Sequence, residues 1–206
     1  MVVPSLFGTP GRPAAAPYVA STLAQLCVAR EMRAFAVRAE RPVSLFLRAL
    51  AADLAGRTAG RGVGVVGMCF TGGFALATAV EESVSAAVMS QPSIPFPLDR
   101  TRRRDLGLSP AETVTVTGRT RSGGLCLMGL RFSADRALSP ERFDAYAATF
   151  GDAVELIVLD SSPGNPDGYA RSAHSVLTGE VREDPPNSAS AARERVVAFL
   201  TRRLGA

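Results

Sequence analysis

Three side chains in this 206-residue sequence have the types that together make a nucleophile, an acid and a base: Cys69, Asp135 and His174. Cys69 stands in Gly67-Met-Cys69-Phe-Thr-Gly72-Gly73, directly after an apolar run and directly before a helix-like one. Small residues two before and shortly after the central one are what a sharp strand-to-helix turn requires, because side chains there would collide with the neighbours of a projecting nucleophile. A cysteine on such a turn rises above the sheet beside a helix N-terminus, which favours the thiolate. The same letters also suit a small apolar residue closing a buried strand. His174, the single histidine, lies in a long loop before the final helix. Asp135 lies in the loop between the strand-like run 125–130 and the helix expected from Ser139, and Asp160 and Asp167 stand nearer to His174 in sequence as rival acids.

Positioning these residues is the task of elements read from the hydrophobic pattern. Apolar runs at residues 2–7, 34–37, 63–68, 86–89, 125–130 and 154–159 read as six strands. Between them, helices are expected from Ser21, from Pro42 to Gly56, after Cys69 to about Glu82, after Ser109, over 139–150 with Pro140 in the first turn, and over 188–204. Strands apolar throughout, alternating with helices, imply a mainly parallel sheet covered on both faces. In such an α/β sheet ligands bind at the carboxyl ends of the strands, so the residues following each strand are the candidates. Length fits one domain over 1–206, with no repeat and no linker.

Composition narrows the function classes. All 23 basic residues are arginine, and against 19 acids the net charge is +4, too mild and scattered to point to nucleic acid. The cluster Arg100, Arg102, Arg103 and Arg104 reads as a solvated surface, or as the border of a pocket with Ile94, Phe96 and Leu98. Three widely spaced cysteines form neither a disulfide framework nor a zinc pattern; Cys27 and Cys126 read as core residues. No leader-like N-terminus and no run of about 18 apolar residues is present, so a cytoplasmic protein with no membrane partner is expected. Gly62, Gly64 and Gly67 match a dinucleotide fingerprint in letters only: its glycines should follow a strand, whereas here the valines between them are the strand. No cofactor or metal is implied.

The segment GMCFTGG, the stretch 129–140 with glycine, aspartate and proline at its start, centre and end, His174 in the last loop and the opening VVPSLFG together resemble the dienelactone hydrolase family of α/β-hydrolases. The order Cys69, Asp135, His174 is also the nucleophile, acid, base order of that fold. The resemblance spans essentially the whole chain, with the usual leading strands missing before residue 1. It implies a hydrolase of a small ester or lactone, with Cys69 as nucleophile, His174 as base and Asp135 as its orienting acid. The oxyanion hole would come from the backbone N–H of Phe70 and one from the Leu6–Phe7 loop. Three positions depart from the family pattern: Thr71 replaces a small glycine, Ser5 a glutamate, and Thr178 an arginine that holds a substrate carboxylate. A binding protein without activity, or an acyl transferase using the same triad, is the alternative.

Overall fold

The structure, a computed structural model, describes residues 1–13 and 15–205. At its centre is an all-parallel sheet of four strands in the order β1-β2-β3-β4: β1 Val63–Met68, β2 Val84–Ser90, β3 Cys126–Phe132 and β4 Val154–Leu159. Because strand order follows chain order and crossovers are right-handed, the connecting helices share one face. These are α3 Gly72–Thr78, α5 Pro110–Arg121 and α6 Pro140–Phe150, packed through Leu76, Val116 and Tyr146 onto Ala87, Met89 and Leu127. The other face, with Ala86, Val88, Met128 and Leu130, is covered by α7 Ser188–Leu204 through Ala192, Val196 and Phe199. Burial on both faces is why the strands carry no polar alternation. Helix α1 Ala16–Val28, helix α2 Pro42–Gly56 and the short α4 Arg100–Arg104 complete the set. No helix among the described residues is long and apolar enough to cross a membrane.

Local signals set most helix ends. Ser109 and Glu112 form a reciprocal capping box at α5, Asn187 and Ser190 one at α7, and prolines open α2, α5 and α6. The first helix departs from expectation. It starts at Ala16 with Pro17 in its first turn, and Ser21 lies inside it, its hydroxyl donating to the Tyr18 carbonyl at 2.9 Å.

Two of the six expected strands do not form. Residues 2–7 are irregular, with Val2, Val3 and Phe7 exposed. Pro4 removes a ladder donor from a segment too short to spare one, and the outer edge of β1 stays unpaired. An apolar groove of about 640 Å³ lies between this segment, α1, α2 and β1. Residues 34–37 form a turn between two left-handed residues, Arg33 at φ 44° and Arg38 at φ 49°. Their carbonyls are taken by arginines instead of a neighbouring strand: Arg41 Nη2 donates to the Ala36 carbonyl at 3.0 Å and Arg102 Nε to the Phe35 carbonyl at 3.1 Å. Cys27 and Cys126, expected in the core, are only half-buried, and the Arg203 guanidinium lies against the Cys126 sulfur.

Candidate active site

The carboxyl ends of all four strands contribute to one site. At the end of β1 the chain turns abruptly through a 3-10 turn, Cys69–Thr71, into α3. Cys69 sits in the left-handed region at φ 53°, a conformation that costs a cysteine about 1–3 kcal/mol and is held only by its surroundings. Gly67 shows how tight the turn is: a Cβ there would lie 2.3 Å from the Thr71 carbonyl oxygen. At Gly72 a Cβ would lie 2.6 Å from Pro92 Cα, in the loop after β2. Thr71 is accommodated because its side chain points back along the strand. Its Oγ1 accepts from the Met68 N–H at 3.1 Å and donates to the Met68 carbonyl at 2.9 Å, tightening the turn from outside.

These contacts make the first prediction. Gly67→Ala should lower stability by roughly 1–3 kcal/mol through overpacking against backbone. Gly118→Ala, in the middle of α5 with nothing within 4 Å of the new Cβ, should instead stabilise by up to about 1 kcal/mol. Urea unfolding of the two variants measures both signs, and a neutral Gly67→Ala would contradict the packing of the turn.

After β3, Asp135 is buried in a loop stitched to the one after β4. The Ala134 N–H donates to Ser161 Oγ at 3.1 Å, and the Ser161 N–H to Ser133 Oγ at 2.9 Å. Asp135 Oδ1 accepts from the Ala137 N–H at 2.9 Å, and Oδ2 bonds His174 Nδ1 at 2.7 Å. The rival acids are engaged elsewhere. Asp160 accepts from Ser133 Oγ and the Ser162 N–H, and Asp167 accepts from the Ser188 N–H.

His174 lies in the loop between β4 and α7, which is ordered by its own contacts. Asn165 bonds the Tyr169 backbone in both directions at 2.8 Å, the Tyr169 ring packs 4.8 Å from Phe132, and Ala173 and Val176 are buried on either side of the histidine. The imidazole and the Cys69 thiol lie close enough to shift each other's titration. Burial opposes charge on His174, but Asp135 on one nitrogen and Cys69 on the other overcome it and push its pKa up to about 10. Burial likewise opposes ionisation of Cys69, and His174, then Ser93, then the Phe70 N–H overcome it and lower the thiol pKa. Both shifts favour a thiolate–imidazolium pair. Because α3 has only seven residues, this polarisation is carried by His174 more than by the helix.

Of the residues expected to line an oxyanion hole, Leu6 and Phe70 share an apolar cluster with Cys69, and Phe7 packs on Phe70. The Phe70 N–H helps to lower the Cys69 thiol pKa. Among the described residues, the backbone N–H groups of Leu6 and Phe7 are not taken by any protein acceptor. Their loop is tethered by Tyr18, whose hydroxyl accepts from the Thr9 N–H and lies against Gly8. A run of rings borders the site: Phe7 to Phe70 at 6.3 Å, Phe70 to Phe96 at 6.2 Å and Phe96 to Phe35 at 5.6 Å.

Sequence reasoning missed one polar neighbour of the sulfur, Ser93, whose Oγ lies 3.9 Å from Cys69 Sγ. The signal was present, since Ser93 follows β2 by three residues at the carboxyl edge of the sheet. Phe35 was also missed, because the short apolar run around it reads as a strand. The arginine cluster 100–104 forms α4, capped by Asp99, and turns its Arg102 guanidinium toward Phe35.

No protein-family model and no curated protein matches the chain. Among solved structures, it resembles the crystal structure of a provisionally named dienelactone hydrolase from Klebsiella pneumoniae subsp. pneumoniae MGH 78578, with 14% identity and a TM-score of 0.49. The match covers 77% of this chain and 60% of that one.

Proposed function

We propose that the protein hydrolyses small carboxylic esters or lactones through Cys69, His174 and Asp135, in the manner of dienelactone hydrolases. The observation that carries this reading is a cysteine strained to φ 53° on a strand-to-helix turn, close to an imidazole whose Nδ1 is 2.7 Å from a buried aspartate. That is the constellation of nucleophile, base and orienting acid, in which each member fixes the next.

The reaction starts from the ion pair. The Cys69 thiolate adds to the carbonyl carbon, and the charge moves to the carbonyl oxygen, where the Phe70 N–H and an N–H of Leu6 or Phe7 receive it. Collapse expels the alcohol oxygen, which takes the proton held on His174 Nε2, leaving an acyl thioester on Cys69. Water then attacks the thioester as His174 removes its proton, and the carboxylic acid leaves as the thiolate reforms. Asp135 keeps the Nδ1 proton in place and stabilises the imidazolium at both ends of the cycle. The ring-lined border beside the sulfur, with Thr178 where the family's carboxylate-holding arginine would stand, suits an apolar or aromatic acyl group better than an anionic one.

Iodoacetamide tests the thiolate. At pH 7 an unperturbed thiol is only a few per cent ionised, so Cys69 should label at least about tenfold faster than Cys27 or Cys126, and His174→Ala should remove the advantage. Equal labelling of the three cysteines would contradict an activated nucleophile.

A further inference from the structure

Ser93 is 2% exposed, and its hydroxyl has a single protein partner among the described residues, the Cys69 sulfur. A buried hydroxyl normally finds an acceptor, since leaving it unpaired sacrifices its hydration without return. Its backbone is fixed to the same residue, the Ser93 N–H donating to the Cys69 carbonyl at 3.1 Å. The loop is anchored on both sides as well. Gln91, left-handed at φ 37°, donates its N–H to the Leu130 carbonyl at 2.7 Å, and Arg142 Nη1 donates to the carbonyls of Pro92 and Ile94 at 2.8 and 3.3 Å. Gly72 allows Pro92 to press against α3. The loop therefore delivers one hydroxyl to one atom.

We propose that Ser93 is a positioning residue that donates its Oγ–H to the Cys69 sulfur and holds the thiolate toward His174. The inference rests on the reading of Cys69 as nucleophile. The 3.9 Å separation is long for such a bond, and an anionic sulfur attracts the donor more than a neutral thiol does. Among the described residues, the titratable side chain that lowers the Cys69 pKa is His174, with Asp135 behind it; the Ser93 hydroxyl and the Phe70 N–H act in the same direction. Once the thioester forms, the sulfur loses its charge and the bond weakens. Ser93 thus favours the thiolate both before attack and as the leaving group of the second step.

The pH dependence of iodoacetamide alkylation at Cys69 tests this. Removing a hydrogen bond to a charged acceptor should raise the midpoint in Ser93→Ala by roughly half a unit to one unit, a 3- to 10-fold slower reaction below it, with the plateau rate at high pH retained. Ser93→Thr should keep the midpoint low, whereas Ser93→Val, of the same shape without the hydroxyl, should raise it. This second comparison stands even if alanine loosens the loop. A low midpoint in the unmodified protein that stays put in both Ser93→Ala and Ser93→Val would overturn the proposal and leave the nucleophile intact. A lower plateau with no midpoint shift would assign Ser93 a packing role only and overturn it equally. A midpoint in the ordinary thiol range in the unmodified protein would overturn the activated cysteine itself.

Discussion

On the proposed reaction, His174→Ala should lower ester turnover by roughly a millionfold, the loss seen when the base of such a triad is removed. The size follows from the imidazole's two partners. It carries the proton the leaving alcohol needs, and it is the largest influence favouring the Cys69 thiolate, so its loss removes both the acid and the resting nucleophile. Asp135→Asn should fall short of this, because it leaves an imidazole in place but spoils its tautomer. The same pair governs stability against pH. Unfolded, the histidine titrates near 6.5 and the cysteine near 9.0. Folded, His174 keeps its proton to about 10, so its contribution is complete below 6.5 and is lost as pH rises toward 10. The lowered Cys69 pKa acts oppositely, its contribution being present above 9.0 and lost as pH falls through the folded value. Between 9.0 and about 10 the unfolded pair holds no proton while the folded pair keeps the one on His174, so stability falls there as pH rises. Melting temperature should therefore decline as pH rises above 9.0 as far as this pair sets it, with that alkaline decline reduced in His174→Ala. Turnover of a p-nitrophenyl ester together with melting curves across pH measures both effects.

Arg142→Met costs the fold about 4 kcal/mol or more. Arg142 is fully buried in α6, and burial lowers its pKa, yet it stands among carbonyls that ring it. Nη1 donates to Pro92 and Ile94, and Nη2 donates to Arg102 at 2.8 Å and to Pro95. A thioether fills the volume but leaves those four carbonyl oxygens without a donor, at about 1–3 kcal/mol for each that water cannot reach. For a chain of this size that is a fall in melting temperature on the order of 10 °C. Lysine recovers only part, since a point charge cannot span the fork of a guanidinium. Arg100→Ala, on the exposed surface of α4, is the control and should change stability by no more than about 0.5 kcal/mol. Because the ringed carbonyls flank Ser93, the melted loop should also slow Cys69 alkylation below the melting temperature. A shift under about 2 °C would contradict the role given to Arg142.

What the sequence made legible was local. Gly67 and Cys69 encode a sharp turn because the turn's own Thr71 carbonyl fills the space a side chain at Gly67 would need, whereas at Gly72 that space is filled by Pro92 from the loop after β2. Prolines and capping residues mark the starts of α2, α5, α6 and α7 just as locally. Position in the sequence makes Asp135 a candidate acid, but the fold separates it from Asp160 and Asp167, which accept from Ser133, Ser162 and Ser188 instead. What was illegible depended on distant residues. Residues 2–7 and 34–37 have strand-like letters, and whether such a run becomes a strand is decided by what lies beside it, here an open edge in one case and two arginines in the other. Arg41 and Arg142 are almost wholly buried, Arg41 reaching the Gly107 carbonyl and Arg142 those of Pro92, Ile94 and Pro95, partners far along the chain that no local signal marks. Ser93 is an unremarkable letter in a proline-rich loop until the turn at Cys69 is placed against it.

The most direct test of the central claim is to quench the protein during turnover of p-nitrophenyl acetate and map the acyl group by peptide mass spectrometry. The account predicts an acetyl thioester on Cys69, transient in the unmodified protein and absent from Cys27 and Cys126. Turnover that persists in Cys69→Ala, or an acyl group found on another residue with Cys69 unmodified, would contradict it.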